Sequence, residues 1–448
     1  MATDTASSTE RAKGDDDPRR RNPLARFFSV LGPGLVTGAA DDDPSGVATY
    51  AQAGASYGNG LLWTVPATLP MMMAVQEICD RMALATGDSF GRLIRRRFGR
   101  GARAVIVVLV AALIVANVLN LSADLMAIGQ GMRLLGAGPA GLWSAIAGVG
   151  ITVALIGGSF DWIGRIFKWL CLALLVYVGV LFVTHVDWGS VLAGLIGAQF
   201  HWSPAYLGLV VAVLGTTISP YMFFWQTAQR IEELREEDLG GDRAPSLGER
   251  TPSGARRRLR TGRLDVFTGM VFSVLIMFAI IAATAATLGV HHKTVTSAAE
   301  AAKALEPIAG QYAGALFAVG FIGSGILAVP VLAASGAAGM AGLLEKPWGF
   351  DRSPRKAPLF YLLLVAGMII GTLFALFVGN PIQLLVLSAI VNGIAAGPFI
   401  VIMMLIARDR GIMGRYRNRW LSQTLGWITA IVMCVAGAYG VWFTLSGQ

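Results

Sequence analysis

The sequence is short of the groups that soluble proteins carry on their surfaces. Only 14% of its 448 residues are charged, against roughly 25% in an ordinary soluble domain, and a soluble globular fold is excluded on that ground. Cysteine is scarce too. Cys79, Cys171 and Cys434 stand singly inside apolar runs, which excludes a disulfide scaffold and any paired-cysteine metal or redox motif. There are four histidines and no His-Glu-x-x-His pattern, so no zinc-hydrolase centre can be built. Neither an enzyme nor a resident cofactor is expected. Acids are outnumbered by bases, 27 to 36. The bases fall in short segments beside apolar runs, which is a topological signal and not one for nucleic acid. No cleavable signal peptide is expected, because a polar stretch precedes the first apolar run and no small-residue cleavage site follows it.

What the chain has in abundance is apolar sequence. Hydrophobic residues make up 55%, and eleven stretches are long enough to cross a ~30 Å hydrocarbon core. The expected fold is an all-α integral membrane protein. Residues 1–26 read as a polar, disordered tail. Residues 27–206 hold spans 1–5, and residues 207–407 hold spans 6–10 with a long charged loop at 228–263. Residues 408–448 add a loop and span 11. Every second connection is basic: Arg92 to Arg103, then Arg165 with Lys168, then Arg256-Arg257-Arg258, then Lys346 to Lys356, then Arg408 to Arg419. That alternation places the amino terminus in the cytoplasm and the carboxyl terminus outside, in the plasma membrane. Nothing in the sequence calls for more than a monomer or weak oligomer in the lipid bilayer.

Two spans are interrupted. In span 1, the run Gly32 to Ala40 meets Asp41-Asp42-Asp43-Pro44-Ser45-Gly46 before the apolar register resumes. A carboxylate at mid-bilayer costs about 2.5–3.5 kcal/mol on insertion scales, so these acids must face a wet cavity or titrate. Pro44 lacks an N–H and clashes with the preceding turn, so the helix should break there. Span 6 repeats the device in Gly215-Thr216-Thr217-Ile218-Ser219-Pro220-Tyr221. Two breaks five spans apart fit two inverted repeats with a substrate site at the midplane between discontinuous helices. The candidate site residues are Asp43, Asp42, Ser45 and Gly46 from span 1, and Thr216, Thr217, Ser219 and Tyr221 from span 6. Asn392 of span 10 is within reach of the same cavity. Asp124, the one acid of span 3, is either a proton relay or a helix–helix partner. Glu77, Asp80 and Arg81 read as a structural ion-pair group, Met71-Met72-Met73 as packing, and His291 and His292 as outer-loop residues.

The stretch "GPGLVTGAADDDPSGVATYAQAGASYG" resembles the first span of the NRAMP family of metal-ion transporters. "LGTTISPY", "GFIGSGILAVPVLAASGAAGM" and "LLVLSAIVNG" resemble that family's spans 6, 8 and 10 in order and spacing. The resemblance covers roughly residues 27–407. It implies a LeuT-type 5+5 inverted repeat with helices 1 and 6 discontinuous, alternating access, and H⁺-coupled uptake of divalent metals. Departures fall on the metal site. The family's Asp-Pro-Gly-Asn reads Asp43-Pro44-Ser45-Gly46 here, and its Met-Pro-His reads Ser219-Pro220-Tyr221. Its span-10 glutamine aligns with Ala389, and its span-3 acids align near Leu121 and Asp124. Span 9 lacks the family's arginine. The amide, thioether and imidazole donors are thus gone while Asp43 stays. Smaller side chains at Gly46, Ser219 and Ala389 point to a wider, hydroxyl-lined cavity. The favoured substrate on this reading is a small polar organic solute of amino-acid-like charge. The alternative is an H⁺-coupled carrier of a divalent metal, Mg²⁺ or Mn²⁺, with Asp43 as the metal ligand.

Overall fold

A computed structural model describes residues 33–157, 170–171, 174–182, 184–289, 313–377 and 381–446. The amino-terminal tail, the loop around Arg165, His291 and His292 lie outside the described residues. The described chain is helical. Span 1 comprises α1 (Pro33–Asp41) and α2 (Pro44–Tyr57), span 2 is α3 (Thr64–Thr86), and α4 (Phe90–Arg97) is a short surface helix. Spans 3 and 4 are α5 (Arg100–Leu134) and α6 (Ala140–Gly157), and residues 174–182 are helical within the expected span 5. A short helix, α7 (Trp188–Leu195), precedes span 6, which comprises α8 (Pro204–Thr217) and α9 (Pro220–Glu236). Spans 7–11 are α10 (Pro252–Thr287), α11 (Ala313–Leu343), α12 (Pro358–Phe377), α13 (Pro381–Arg408) and α14 (Trp420–Ser446).

Both breaks form where the prolines require them. Asp43 and Ser219 adopt extended backbone, at φ −65°, ψ 167° and φ −77°, ψ 135°, as residues preceding proline must. Pro44 and Pro220 then occupy the first helical position, where a missing N–H is harmless. The interruption of span 1 is narrower than residues 41–46, because Asp41 still closes α1 and Pro44 already opens α2.

The broken helices run through the centre of the bundle. The apolar window of Pro204–Glu236 is 94% buried within the protein, whereas that of α6 is 17% buried and α6 faces lipid. Glycine makes the central contacts possible. A Cβ on Gly38 would lie 2.1 Å from the Gly269 carbonyl of α10, and one on Gly215 would lie 2.1 Å from the Ala389 carbonyl of α13. Small residues of this kind let membrane helices meet backbone to backbone.

The 228–263 region differs from expectation. It is not one long loop, since α9 continues to Glu236 and α10 starts at Pro252, so the connection shrinks to residues 237–251. Charged residues read as loop in a membrane-length count, but here they extend two helices beyond the bilayer and pair across them. Arg258 meets Glu233 and Glu237 at 2.7 Å. Arg95–Glu345 at 2.8 Å, Arg97–Asp409 at 2.8 Å and Arg235–Asp351 at 3.2 Å join the basic connections to one another. All of these connections therefore share one face of the bundle.

Candidate functional site

Asp43 sits in the break of span 1 with 1% of its surface exposed, and four donors converge on its carboxylate. As the cap of α2 it accepts, on Oδ1, the Gly46 N–H at 2.7 Å and the Ser45 hydroxyl at 2.6 Å. Its Oδ2 accepts the Asn120 amide of α5 at 2.9 Å and the Tyr221 hydroxyl of α9 at 3.3 Å. Asn120 is in turn held by α13, whose Ser388 hydroxyl donates to Asn120 Oδ1 at 2.7 Å. One carboxylate therefore joins both broken helices to α5 and α13.

The other expected residues divide into two groups. Ser45, Gly46 and Tyr221 lie at Asp43, and Thr216 joins them through a 3.4 Å contact between its hydroxyl and that of Ser45. Thr217 and Ser219 direct their hydroxyls elsewhere. Thr217 donates to the Val213 carbonyl at 2.9 Å, and Ser219 to those of Gly215 at 2.7 Å and Thr216 at 2.9 Å. The Ser219 bond to Thr216 satisfies a carbonyl whose i+4 partner, Pro220, has no N–H, while Thr217 bonds back along its own helix. Asp42 and Asp41 turn toward α10, where Ser273 donates to Asp41 Oδ2 at 2.8 Å and approaches Asp42 Oδ1 at 3.4 Å. Asp41 Oδ1, Asp42 Oδ2, both Asp124 oxygens and both Asn392 amide atoms are buried without a hydrogen-bond partner among the described residues. Sequence reasoning missed Asn120, Ser388 and Ser273. A single amide or hydroxyl in an apolar helix carries no sign of its depth, and only the packing sets it beside an acid.

Near neighbours stand beside Gly46, one of the positions where the side chain is small. A Cβ on Gly46 would meet Thr216 Oγ1 at 3.2 Å, the Asp41 carbonyl at 3.3 Å and the Tyr50 ring at 3.4 Å. The Ala389 carbonyl lies against Gly215, where α13 meets α8 backbone to backbone.

A second buried polar cluster lies further along α9, toward the basic face. Arg230 of α9, with 3% of its side chain exposed, meets Asp80 of α3 at 2.5 Å and Asp265 of α10 at 3.0 Å, and pairs with Glu233. Asp265 also accepts the Gly34 N–H at 2.8 Å, and Gln226 accepts the Thr37 hydroxyl at 2.5 Å. These two bonds tie α1 into the cluster. The expected ion-pair group around Asp80 and Arg81 is thus divided. Arg81 bonds Glu77 at 3.0 Å, while Asp80 belongs to the Arg230 cluster.

Helices broken at matching places around a buried acid, with a buried charged cluster on one side, are the arrangement of a membrane carrier of the alternating-access type. The chain matches the family model "Natural resistance-associated macrophage protein-like" over residues 34–443, and it belongs to the Nramp family. Relatives of similar length include the divalent metal cation transporter MntH of Deinococcus radiodurans, 26% identical over 95% of this chain and 92% of the relative. The MntH of Verminephrobacter eiseniae is 27% identical over 94% and 90%. The manganese transporter of Eremococcus coleocola, solved with a bis-isothiourea compound, has a similar fold with TM-score 0.73, at 16% identity over 92% of this chain and 86% of that one. Mhp1, a nucleobase-cation-symport-1 family transporter, follows at TM-score 0.58 and 15% identity over 93% of both chains. These matches establish the LeuT-type fold and a multi-pass transporter that is not an enzyme. They also overturn the organic-solute reading. Relatives that match nearly end to end are named as divalent metal cation transporters.

Proposed function

We propose that this chain carries a divalent metal cation across the plasma membrane by alternating access, with the ion held at Asp43 between α1–α2 and α8–α9. The observation that carries the reading is the convergence of Ser45, Asn120 and Tyr221 on one buried carboxylate. Each of these groups has an oxygen lone pair as well as a proton to donate. The groups that satisfy Asp43 without an ion can therefore turn oxygen toward one. Carbonyls at the two breaks can complete the shell, as half-helix ends do in carriers of this design. The full-length relatives named for divalent metal transport support the same class of cargo.

The side-chain donor set is all oxygen-bearing, with no thioether or imidazole bonded to Asp43 among the described residues. Such a set suits Mg²⁺ and Mn²⁺ better than soft ions, and Mg²⁺ is held through one or two carboxylates with part of its water retained. Asp124, buried on α5 one helical turn beyond Asn120 and without a hydrogen-bond partner among the described residues, is the group we assign to H⁺ coupling. The basic connections support an amino terminus in the cytoplasm, and on that orientation the Arg230 cluster serves as the inner gate. Residues 27–206 and 207–407 are the two repeats that rock about the site. Isothermal titration of the purified protein with Mg²⁺, Mn²⁺ and Cd²⁺ tests the reading. Saturable heat is expected for the first two and is to be lost in Asp43→Ala. Cd²⁺ binding tighter than Mn²⁺ would refute the oxygen-only site.

A further inference from the structure

We infer that the basic face carries a built site for an anionic glycerophospholipid, set between α3, α10 and α14 at the edge of the membrane. Two adjoining hollows form it. The first, about 300 Å³, is lined by Arg256, Arg260 and Arg263 of α10 and by Arg415, Arg417 and Arg419 ahead of α14. The second, about 460 Å³, lies beside it and is largely apolar, with Met73 of α3, Phe267 of α10, and Trp420, Leu421 and Leu425 of α14 in its wall. Arg263 and Arg419 belong to both hollows.

The order along α10 shows how the two fit together. Arg256, Arg260, Arg263 and Phe267 are spaced four, three and four residues apart, so they form one stripe of the helix. The stripe is cationic at the surface end and aromatic at the membrane end. α14 repeats the pattern, with Arg417 and Arg419 directly before Trp420 and Leu421. A phospholipid has the same profile, a phosphate above two acyl chains. Charge selects the anionic kind. Among the residues lining the two hollows Glu77 is the one acid, and it is engaged by Arg81 and Arg263, each at 3.0 Å. Arg260, Arg417 and Arg419 make no ion pair among the described residues and are exposed. Basic pockets between spans on the cytoplasmic side are suited to anionic lipid head groups, and the tryptophan at the rim sits where interfacial aromatics anchor. A bound lipid would bridge α10, which packs on the gate half-helix α1, to α14.

The test uses the full-length protein in detergent, exposed to an equimolar mixture of phosphatidylglycerol and phosphatidylcholine and examined by native mass spectrometry. Retained lipid is expected to be mostly phosphatidylglycerol, and its retention to fall as salt is raised. The Arg260→Gln/Arg417→Gln variant should lose this preference by roughly 25-fold, at about a factor of five per arginine. Equal retention of the two lipids by the wild type would overturn the proposal without recourse to a variant that fails to fold. So would a well-folded double variant that keeps the preference. Inorganic phosphate and glycerophosphate, added as competitors, are expected not to displace the lipid. Displacement would show a soluble-anion site and refute the lipid assignment.

Discussion

Substituting Asn120 by alanine separates the proposed site from mere packing. The side chain makes two buried bonds, donating to Asp43 Oδ2 at 2.9 Å and accepting from Ser388 at 2.7 Å. After truncation Asp43 Oδ2 keeps only the 3.3 Å bond from Tyr221. Ser388 is not orphaned, because its hydroxyl also reaches the Leu385 carbonyl at 2.8 Å. The loss is therefore one bond to a charged acceptor, on the order of 1.5–3 kcal/mol. For a chain of this size that is a fall of roughly 2–3 °C in melting temperature, readable by scanning fluorimetry in detergent. Mn²⁺ affinity, measured by calorimetry, is expected to weaken about 10- to 100-fold, as when a group that orients a metal ligand is removed. Asn120→Asp moves the two readouts in opposite directions. A second carboxylate beside Asp43 repels it in the ion-free protein and lowers stability, but it strengthens the hold on a hard divalent cation. If alanine leaves both melting temperature and affinity unchanged, Asn120 is a bystander and the four-donor site is wrong.

Two further substitutions probe proton coupling and the gate. In Asp124→Asn proteoliposomes, Mn²⁺ uptake should continue while acidification of the lumen, followed with a pH-sensitive dye, should cease. Acidification that persists would remove Asp124 from the proton route. Arg230→Ala leaves Asp80 and Asp265 buried without their cation, a loss on the order of 3–5 kcal/mol, and should free α1 from the gate. A cysteine at Val36, 2% exposed in the closed form, should then react with maleimide from the basic face. Unchanged labelling would show that the cluster is not what keeps α1 closed.

The two breaks were legible in the sequence because proline is unambiguous in a membrane helix, and an acid beside one proline marks which face is wet. Asp43, Ser45 and Tyr221 could be named for that reason. The direction of the neighbouring hydroxyls could not be read. Ser219 serves the Thr216 carbonyl, a demand that exists only because Pro220 has no N–H, and Thr217 bonds back along its own helix. Asn120 and Ser388 reach the acid from spans whose register relative to span 1 is fixed by packing across the whole bundle. The loop at 228–263 was overdrawn for a similar reason. Its charge was counted as exposure, while Arg258, Glu233 and Glu237 use that charge to hold two helices together above the membrane. The inference from small side chains to an organic cargo failed against full-length relatives named for divalent metals; beside Gly46 stand Thr216 and Tyr50.

Flux of Mn²⁺ into proteoliposomes, compared between the wild type and Asp43→Ala, decides the main claim most directly. Saturable uptake that Mg²⁺ inhibits and that the alanine variant lacks is the expected result. Uptake undiminished by the substitution, or none from the wild type for either ion, would contradict it.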